Sequence, residues 1–278
     1  MNINDYKHLY RSSQFIGHWI HRQPYIREES LTDWLLFDIS ENIKGAYYIS
    51  FPRQEEAYRT KADWEWWFLF SDFCFAMRMQ AKKLYPAYDN YPGIAQTNMY
   101  GLQIEKLLHE AAQDNFMPFY AFYTDQRAQV MCPNQRNDEG VFIAGGQKIY
   151  DAFMSGPRAK VTAADVLQHT LSLSCFVCCP LVSGEGTFMR AESGDPDGGG
   201  GWLYSIITYF KSELGSGFSD EDFSIMEYKN IPGMHKKAPD PIESFIEMSR
   251  NGVKDRWQDE FSDEIEGANA LLVYDFRS

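Results

Sequence analysis

Positive charge is in short supply in this sequence: 26 Lys and Arg stand against 39 Asp and Glu in 278 residues, a formal net charge of −13. Gripping nucleic acid over a broad surface requires Lys and Arg to neutralise phosphates, so any such chemistry must be local. Cysteine is scarce and odd in number, at Cys74, Cys132, Cys175, Cys178 and Cys179. That does not make a secreted disulfide framework, and reduced thiols are expected. No apolar run approaches the roughly 20 residues of a membrane span, and "MNINDYKHLYRSSQFIGHW" lacks a basic start followed by an apolar stretch. A cytoplasmic protein without a membrane partner is expected. Internal repeats and low-complexity linkers are also missing.

What is present is enough apolar residue, 44% of the chain, to bury a full core. Residues 28–40, "EESLTDWLLFDIS", start with acids and carry Leu31, Trp34, Leu35 and Ile39 at helical spacing, which predicts an amphipathic helix. A strand is expected near "AYYISF", then two aromatic-rich strands joined at "SD". "YPAYDNYPG" reads as a loop, residues 98–113 as a helix, and "MPFYAFYT" as a short buried strand. The order helix, strands, helix, strand predicts an α/β fold with a mixed β-sheet flanked by helices. We expect a core over residues 1–130 and a C-terminal α/β extension over 131–278, packed on it or continuous with it.

The stretch "KADWEWWFLFSDFCFAMRMQAKKL", residues 61–84, sets a few polar side chains into a strongly apolar run. Unpaired charge is costly inside a core, so each must be paired or working. If residues 62–68 are extended, Asp63 and Glu65 share a face; Gln80 and Lys82 share one on the partner strand. Strands lie about 4.8 Å apart, so the four groups could form one cluster. Carboxylate oxygens, an amide oxygen and an ammonium suit Mg²⁺ or Mn²⁺, since Mg²⁺ binds through one or two carboxylates, waters and substrate phosphate. A charged ladder can also be a purely structural network in which Asp63 or Glu65 pairs with Lys82.

"AD" at 62–63 followed by "QAK" at 80–82 resembles the core of the PD-(D/E)xK nuclease superfamily in its Gln-x-Lys, Mrr-like variant. That core is a strand bearing Asp, a hairpin, a strand bearing Glu-x-Lys or Gln-x-Lys, and a helix. The set "EESLTD", "KADWEWW", "MQAKKL" and "PFYAFY" is similar to a group of bacterial proteins associated with defence against phage. The resemblance covers roughly residues 28–124. It implies a restriction-endonuclease-like sheet and a metal-dependent nuclease acting on DNA or RNA. It implies Asp63 as the metal-ligating acid, Gln80 as the second ligand, Lys82 as the catalytic lysine and Glu29 as the acid on the first helix. The sequence departs from the pattern in lacking Pro before Asp63 and in having Gln where Glu is usual.

Other motifs carry less. "CFVCC" at 175–179 lacks a second ligand pair, only Cys132, Cys179 and His169 being to hand, so a buried strand without zinc is expected. "SGDPDGGGGW" at 193–202 reads as a loop and not a phosphate cradle. His8, His18 and His21 form no ligand set, and Gln103 is expected on an exposed helix face. Acid is concentrated in "SDEDFSIMEY" and "DEFSDEIEG", whereas Arg78, Lys82 and Lys83 make residues 77–83 locally basic. Three functions compete: a nuclease using Asp63, Gln80 and Lys82 with Glu29 or Glu65; a nuclease fold that binds without cutting; and an interaction module in residues 131–278 that meets a protein partner or a second copy.

Overall fold

The structure, a computed structural model, describes residues 3–51, 62–71, 73–95, 97–98, 101–125, 138–154, 161–175, 232–252 and 268–277. These residues form a mixed α/β fold. The helices are α1 (Ile3–Arg22), α2 (Glu28–Asn42), α3 (Gln103–Gln113), α4 (Gly146–Phe153), α5 (Ala163–Leu167) and α6 (Asp240–Arg250). The strands are β1 (Ala46–Ser50), β2 (Trp64–Leu69), β3 (Cys74–Lys83), β4 (Thr97–Asn98), β5 (Gly101–Leu102), β6 (Met117–Tyr123), β7 (Val141–Gly145), β8 (Leu171–Ser172), β9 (Met234–His235) and β10 (Ala270–Asp275). Among the described residues no helix is long and apolar enough to cross a membrane.

The chain forms two compact units, each assembled from separated segments. One draws on residues within 32–80, 106–118 and 227–278, the other on residues within 1–31, 81–105 and 119–226. In the first, β10 lies between β1 and β2, antiparallel to β1 (Ala46 opposite Tyr274) and parallel to β2 (Leu271 opposite Glu65). β2 pairs antiparallel with β3, Trp64 opposite Met79, and β9 pairs with the start of β3. All six residues of β2 are buried, as expected for a strand covered on both faces. One face presents Trp66 and Phe68, whose rings lie 5.9 and 5.7 Å from that of Tyr274. The other presents Trp67 and Leu69, which join Ala111 and Phe116 and the α6 residues Ile242, Phe245 and Ile246 in one apolar core.

The second unit holds the antiparallel ladder β6–β7–β8, with Phe119 opposite Gly145 and Phe142 opposite Ser172. Helix α1 buries Leu9, Ser13, Ile16 and Ile20, one face of a 3.6-residue period. A Cβ on Gly140 would fall 2.2 Å from the Gly17 backbone nitrogen, so only glycine lets strand and helix backbones meet there. The Ser13 hydroxyl oxygen accepts from the N–H groups of Gly140 and Val141 at 3.1 and 2.9 Å, satisfying donors at the start of β7.

The units do not follow the expected division at residue 130. The last described strand, β10, lies inside the sheet that carries β2, between β1 and β2, with its apolar run from Ala270 to Tyr274 buried. The helix expected over 98–113 begins only at Gln103, the residues before it forming the small β4–β5 ladder. Cys175 is buried but lies in a helical turn beyond β8 instead of in a strand. Cys132, Cys178, Cys179, the glycine run at 193–202 and both acidic segments lie outside the described residues.

Glu139 is fully buried, and its two carboxyl oxygens accept from Ser172 and Ser174 at 2.8 and 2.9 Å. Burial pushes it from 4.5 to about 7, against the pull of its serine hydrogen bonds. Because the folded value lies above the unfolded one, its stabilising share is complete below pH 4.5 and is lost as pH rises through about 7. Unfolding free energy measured by denaturant should fall by about 3 kcal/mol across that window, a pKa unit being worth about 1.4 kcal/mol. Glu139→Gln should remove this slope, and an unchanged slope in that variant would refute the assignment.

Candidate functional site

The site grows out of the β2–β3 register. The Asp63 N–H donates to the Met79 carbonyl at 2.8 Å, so the ladder extends one residue beyond β2 and sets Asp63 opposite Gln80. The Gln80 amide Nε2 donates to Asp63 Oδ2. Gln80 is buried and Asp63 half-buried, so the carboxylate keeps a way out to solvent. A half-turn of the Gln80 amide about its last bond would present its oxygen in place of Nε2, and the pair would become a two-oxygen donor set.

Two residues along the same strand, and therefore on the same face as Gln80, comes Lys82. It is 4% exposed, and among the described residues no hydrogen bond or ion pair ends on its ammonium. Gly93, in the single 3₁₀ turn Pro92–Ala95, lies over the lysine side chain. A Cβ there would come within 3.0 Å of Lys82 Cδ and 3.5 Å of Nζ. Glycine lets that turn close on the lysine. Burying an ammonium is costly unless it is paired or used, so Lys82 is a candidate for a working group.

Glu65 shares the face of Asp63 and Gln80, as expected, and its carboxylate is engaged there by Arg78. It sits opposite Arg78, whose Nε and Nη2 donate to one Glu65 oxygen at 3.2 and 3.1 Å, while the Trp67 indole N–H donates to the other at 3.2 Å. Arg78 also donates to Asp114 at 2.5 Å, and its guanidinium lies 4.3 Å from the centre of the Phe116 ring. Burial pushes the Glu65 carboxyl upward, and the Arg78 guanidinium and Trp67 N–H pull it back. These contacts use both carboxylate oxygens to hold Arg78 and Trp67.

Glu29 is exposed on the first turn of α2, and no hydrogen bond or ion pair among the described residues ties it to β3. Its neighbour Glu28 is the helix acid that meets the strand, accepting from the Lys83 N–H at 2.5 Å. Gln103 stands half-buried at the first position of α3. Lys83 points to the face opposite Lys82, where Nζ donates to the Pro24 and Leu84 carbonyls at 2.7 and 3.3 Å. Burial pushes its pKa down and Glu28 pulls it back up.

Residues 7–273 match a family of unknown function, DUF6615. The chain belongs to the DUF6615 family. No curated protein and no solved structure matches it. In this DUF6615 member no three His, Cys, Asp or Glu side chains converge among the described residues. A metal at Asp63 would therefore be held by one carboxylate and the Gln80 amide, completed by water and substrate oxygens, a set that Mg²⁺ accepts.

The Glu65–Arg78 pair has its own consequence. Arg78→Met should leave a buried, uncompensated carboxylate and cost about 3–5 kcal/mol, and adding Glu65→Leu should recover most of it. Chemical denaturation of the single and double variants measures this, and an Arg78→Met protein as stable as the parent would remove the structural assignment of Glu65.

Proposed function

We propose that this chain is a metal-dependent nuclease of the PD-(D/E)xK type, a phosphodiester hydrolase of DNA or RNA, in the phage-defence setting that the resemblance implies. One observation supports the reading most: Asp63 and Gln80 are cross-strand partners, and the next side chain on that face of β3 is a buried lysine with no described partner. Asp63 and Gln80 are the residues that would hold Mg²⁺ or Mn²⁺. When bound, the ion supplies a Lewis acid that offsets negative charge developing on the phosphate oxygens.

The chain's own groups account for the remaining work. The Lys82 ammonium offers three N–H donors, which hold the attacking water and a non-bridging phosphate oxygen in line with the scissile bond. As the water oxygen bonds to phosphorus it gives up a proton to solvent, the ester P–O bond breaks, and the leaving oxygen takes up a proton from solvent, so that one water is added across the bond. Lys82, covered by the turn at Gly93, works where a hydrogen bond is stronger than in bulk water. Glu28 keeps the end of β3 against α2 by holding the Lys83 N–H.

A second reading, a nuclease fold that binds without cutting, is favoured by the Gln80 hydrogen bond itself. As oriented, that amide satisfies Asp63 with a donor in place of a cation.

Cleavage assays on single- and double-stranded DNA and RNA with Mg²⁺ or Mn²⁺, with and without partner proteins, decide between them. Lys82→Ala and Asp63→Ala should each lower the rate about 10²–10⁴-fold. The melting temperature of Lys82→Ala should not fall by more than a few degrees, because a buried ammonium is removed. Mn²⁺ binding by calorimetry should be lost in Asp63→Ala and kept in Lys82→Ala. If the parent and Lys82→Ala act alike on every substrate, the binding reading replaces the catalytic one.

A further inference from the structure

Five large apolar side chains stand exposed among the described residues: Phe15, Tyr25, Phe37, Tyr85 and Tyr88. Three of them, Tyr25, Tyr85 and Tyr88, occupy two loops that Lys83 ties together. Tyr25, 94% exposed, lies in the turn between α1 and α2, next to the Pro24 carbonyl that accepts from Lys83 Nζ. Tyr85 and Tyr88, 46% and 68% exposed, lie in the loop after β3, and Lys83 Nζ stands 4.5 Å from the centre of the Tyr85 ring. That loop is closed on itself. The Tyr85 N–H donates to the Asn90 carbonyl, the Tyr88 N–H donates to the Tyr85 carbonyl, and Asp89 takes φ 50 to complete the turn. The Ala163 N–H donates to the Asp89 carbonyl and fastens the loop from α5. The rings are therefore presented by braced backbone, and the same loop runs on to Gly93, over Lys82.

The surrounding charge differs from that of the chain as a whole. Arg22 and His21 end α1, Arg27 follows Tyr25, and all three are exposed. The acids on these loops are Glu28, which is engaged by the Lys83 N–H, and the exposed Glu29 and Asp89. In a chain of net charge −13, cations interleaved with exposed tyrosines fit a phosphate backbone whose bases are free to stack.

We propose that Tyr25, Tyr85 and Tyr88, flanked by Arg22 and Arg27, form a stacking platform for single-stranded nucleic acid; this names the substrate class of the β3 site and rests on the nuclease reading for its chemistry. A duplex keeps its base faces stacked inside, whereas an unpaired base offers its π-face to a tyrosine whatever its sequence. With so few cations, the platform depends on stacking more than on charge, which favours single strands over the densely charged duplex.

The test is fluorescence anisotropy in EDTA at low salt. The probes are labelled oligothymidylate and oligouridylate of about 12 nucleotides, a length that one or two such platforms span, beside a duplex of equal length. The parent protein should bind at least one single strand about tenfold or more tightly than the duplex. Tyr25→Ala and Tyr88→Ala should each weaken binding about tenfold, by the loss of one stacked base. Tyr25→Phe and Tyr88→Phe should restore it, and Phe37→Ala, outside the two loops, should bind as the parent does. These side chains are exposed, so the variants should melt as the parent does. Absence of binding by the parent, equal binding of duplex and single strand, or alanine variants that bind normally would each overturn the inference. Because no metal is present, the result is independent of cleavage. Tyrosine-dependent binding without any cleavage in the metal assays supports the platform while overturning the nuclease reading, and cleavage indifferent to the tyrosines does the reverse.

Discussion

The register of β2 on β3 is the constraint on which the site depends. With Trp64 opposite Met79, Asp63 must meet Gln80 and Glu65 must meet Arg78. A slip of one residue would turn every side chain of one strand to the other face, moving Glu65 to the side of the sheet that Trp66 and Phe68 now share with Tyr274. Apolar packing resists that slip only weakly, because β2 is apolar on both faces and Trp, Phe and Leu exchange places at modest cost. The Glu65–Arg78 pair resists it strongly, since a buried carboxylate removed from its guanidinium would keep only the neutral Trp67 N–H and no cation. The charge that looked like a catalytic group in the sequence is thus better explained as what fixes the register that aligns the catalytic candidates.

Much of the local structure could be read from residue types. The acids opening α2, the aromatic hairpin around "SD" and the apolar run of β6 each announce themselves through caps, turns or composition. The common face of Asp63 and Gln80 followed from strand alternation. Alternation gives a face and leaves the register open, so it sets Glu65, Arg78, Gln80 and Lys82 on one side without showing that the partner of Glu65 is Arg78. The choice between Glu28 and Glu29 had the same limit. Two acids in the first turn of a helix are equivalent to a sequence pattern, and only the rotation of α2 against β3 separates them. Helix α1 was legible in principle, from Leu9, Ser13, Ile16 and Ile20 at spacings of four, three and four, but two serines and a histidine-rich setting blur its apolar stripe.

The central place of β10 was less accessible. "ALLVYD" is short and apolar up to its closing Asp275, so its periodicity does not separate a strand from a buried helical turn. Its neighbours β1 and β2 lie some 200 residues earlier in the chain, and no local signal records which edge such a strand will join. Its parallel pairing with β2 nevertheless shapes the site. By covering that edge, β10 makes β2 a central strand whose residues are buried, and in that setting polar groups are retained only where they are paired or used.

Lys82 stands apart from the other cations of its strand. Arg78 and Lys83, its basic neighbours on the same strand, are both satisfied: one by Glu65 and Asp114, the other by two carbonyls and the Tyr85 ring. The chain thus has the means to compensate a buried cation on β3 and does so on either side of Lys82. At Lys82 itself it instead places a glycine turn close over the side chain and supplies no described anion. Among the described residues Lys82 thus differs from its compensated neighbours, and on the nuclease reading proposed above an anionic ligand such as a phosphodiester would be its partner. On that reading the group that positions the phosphate is also the one that contributes binding energy to it.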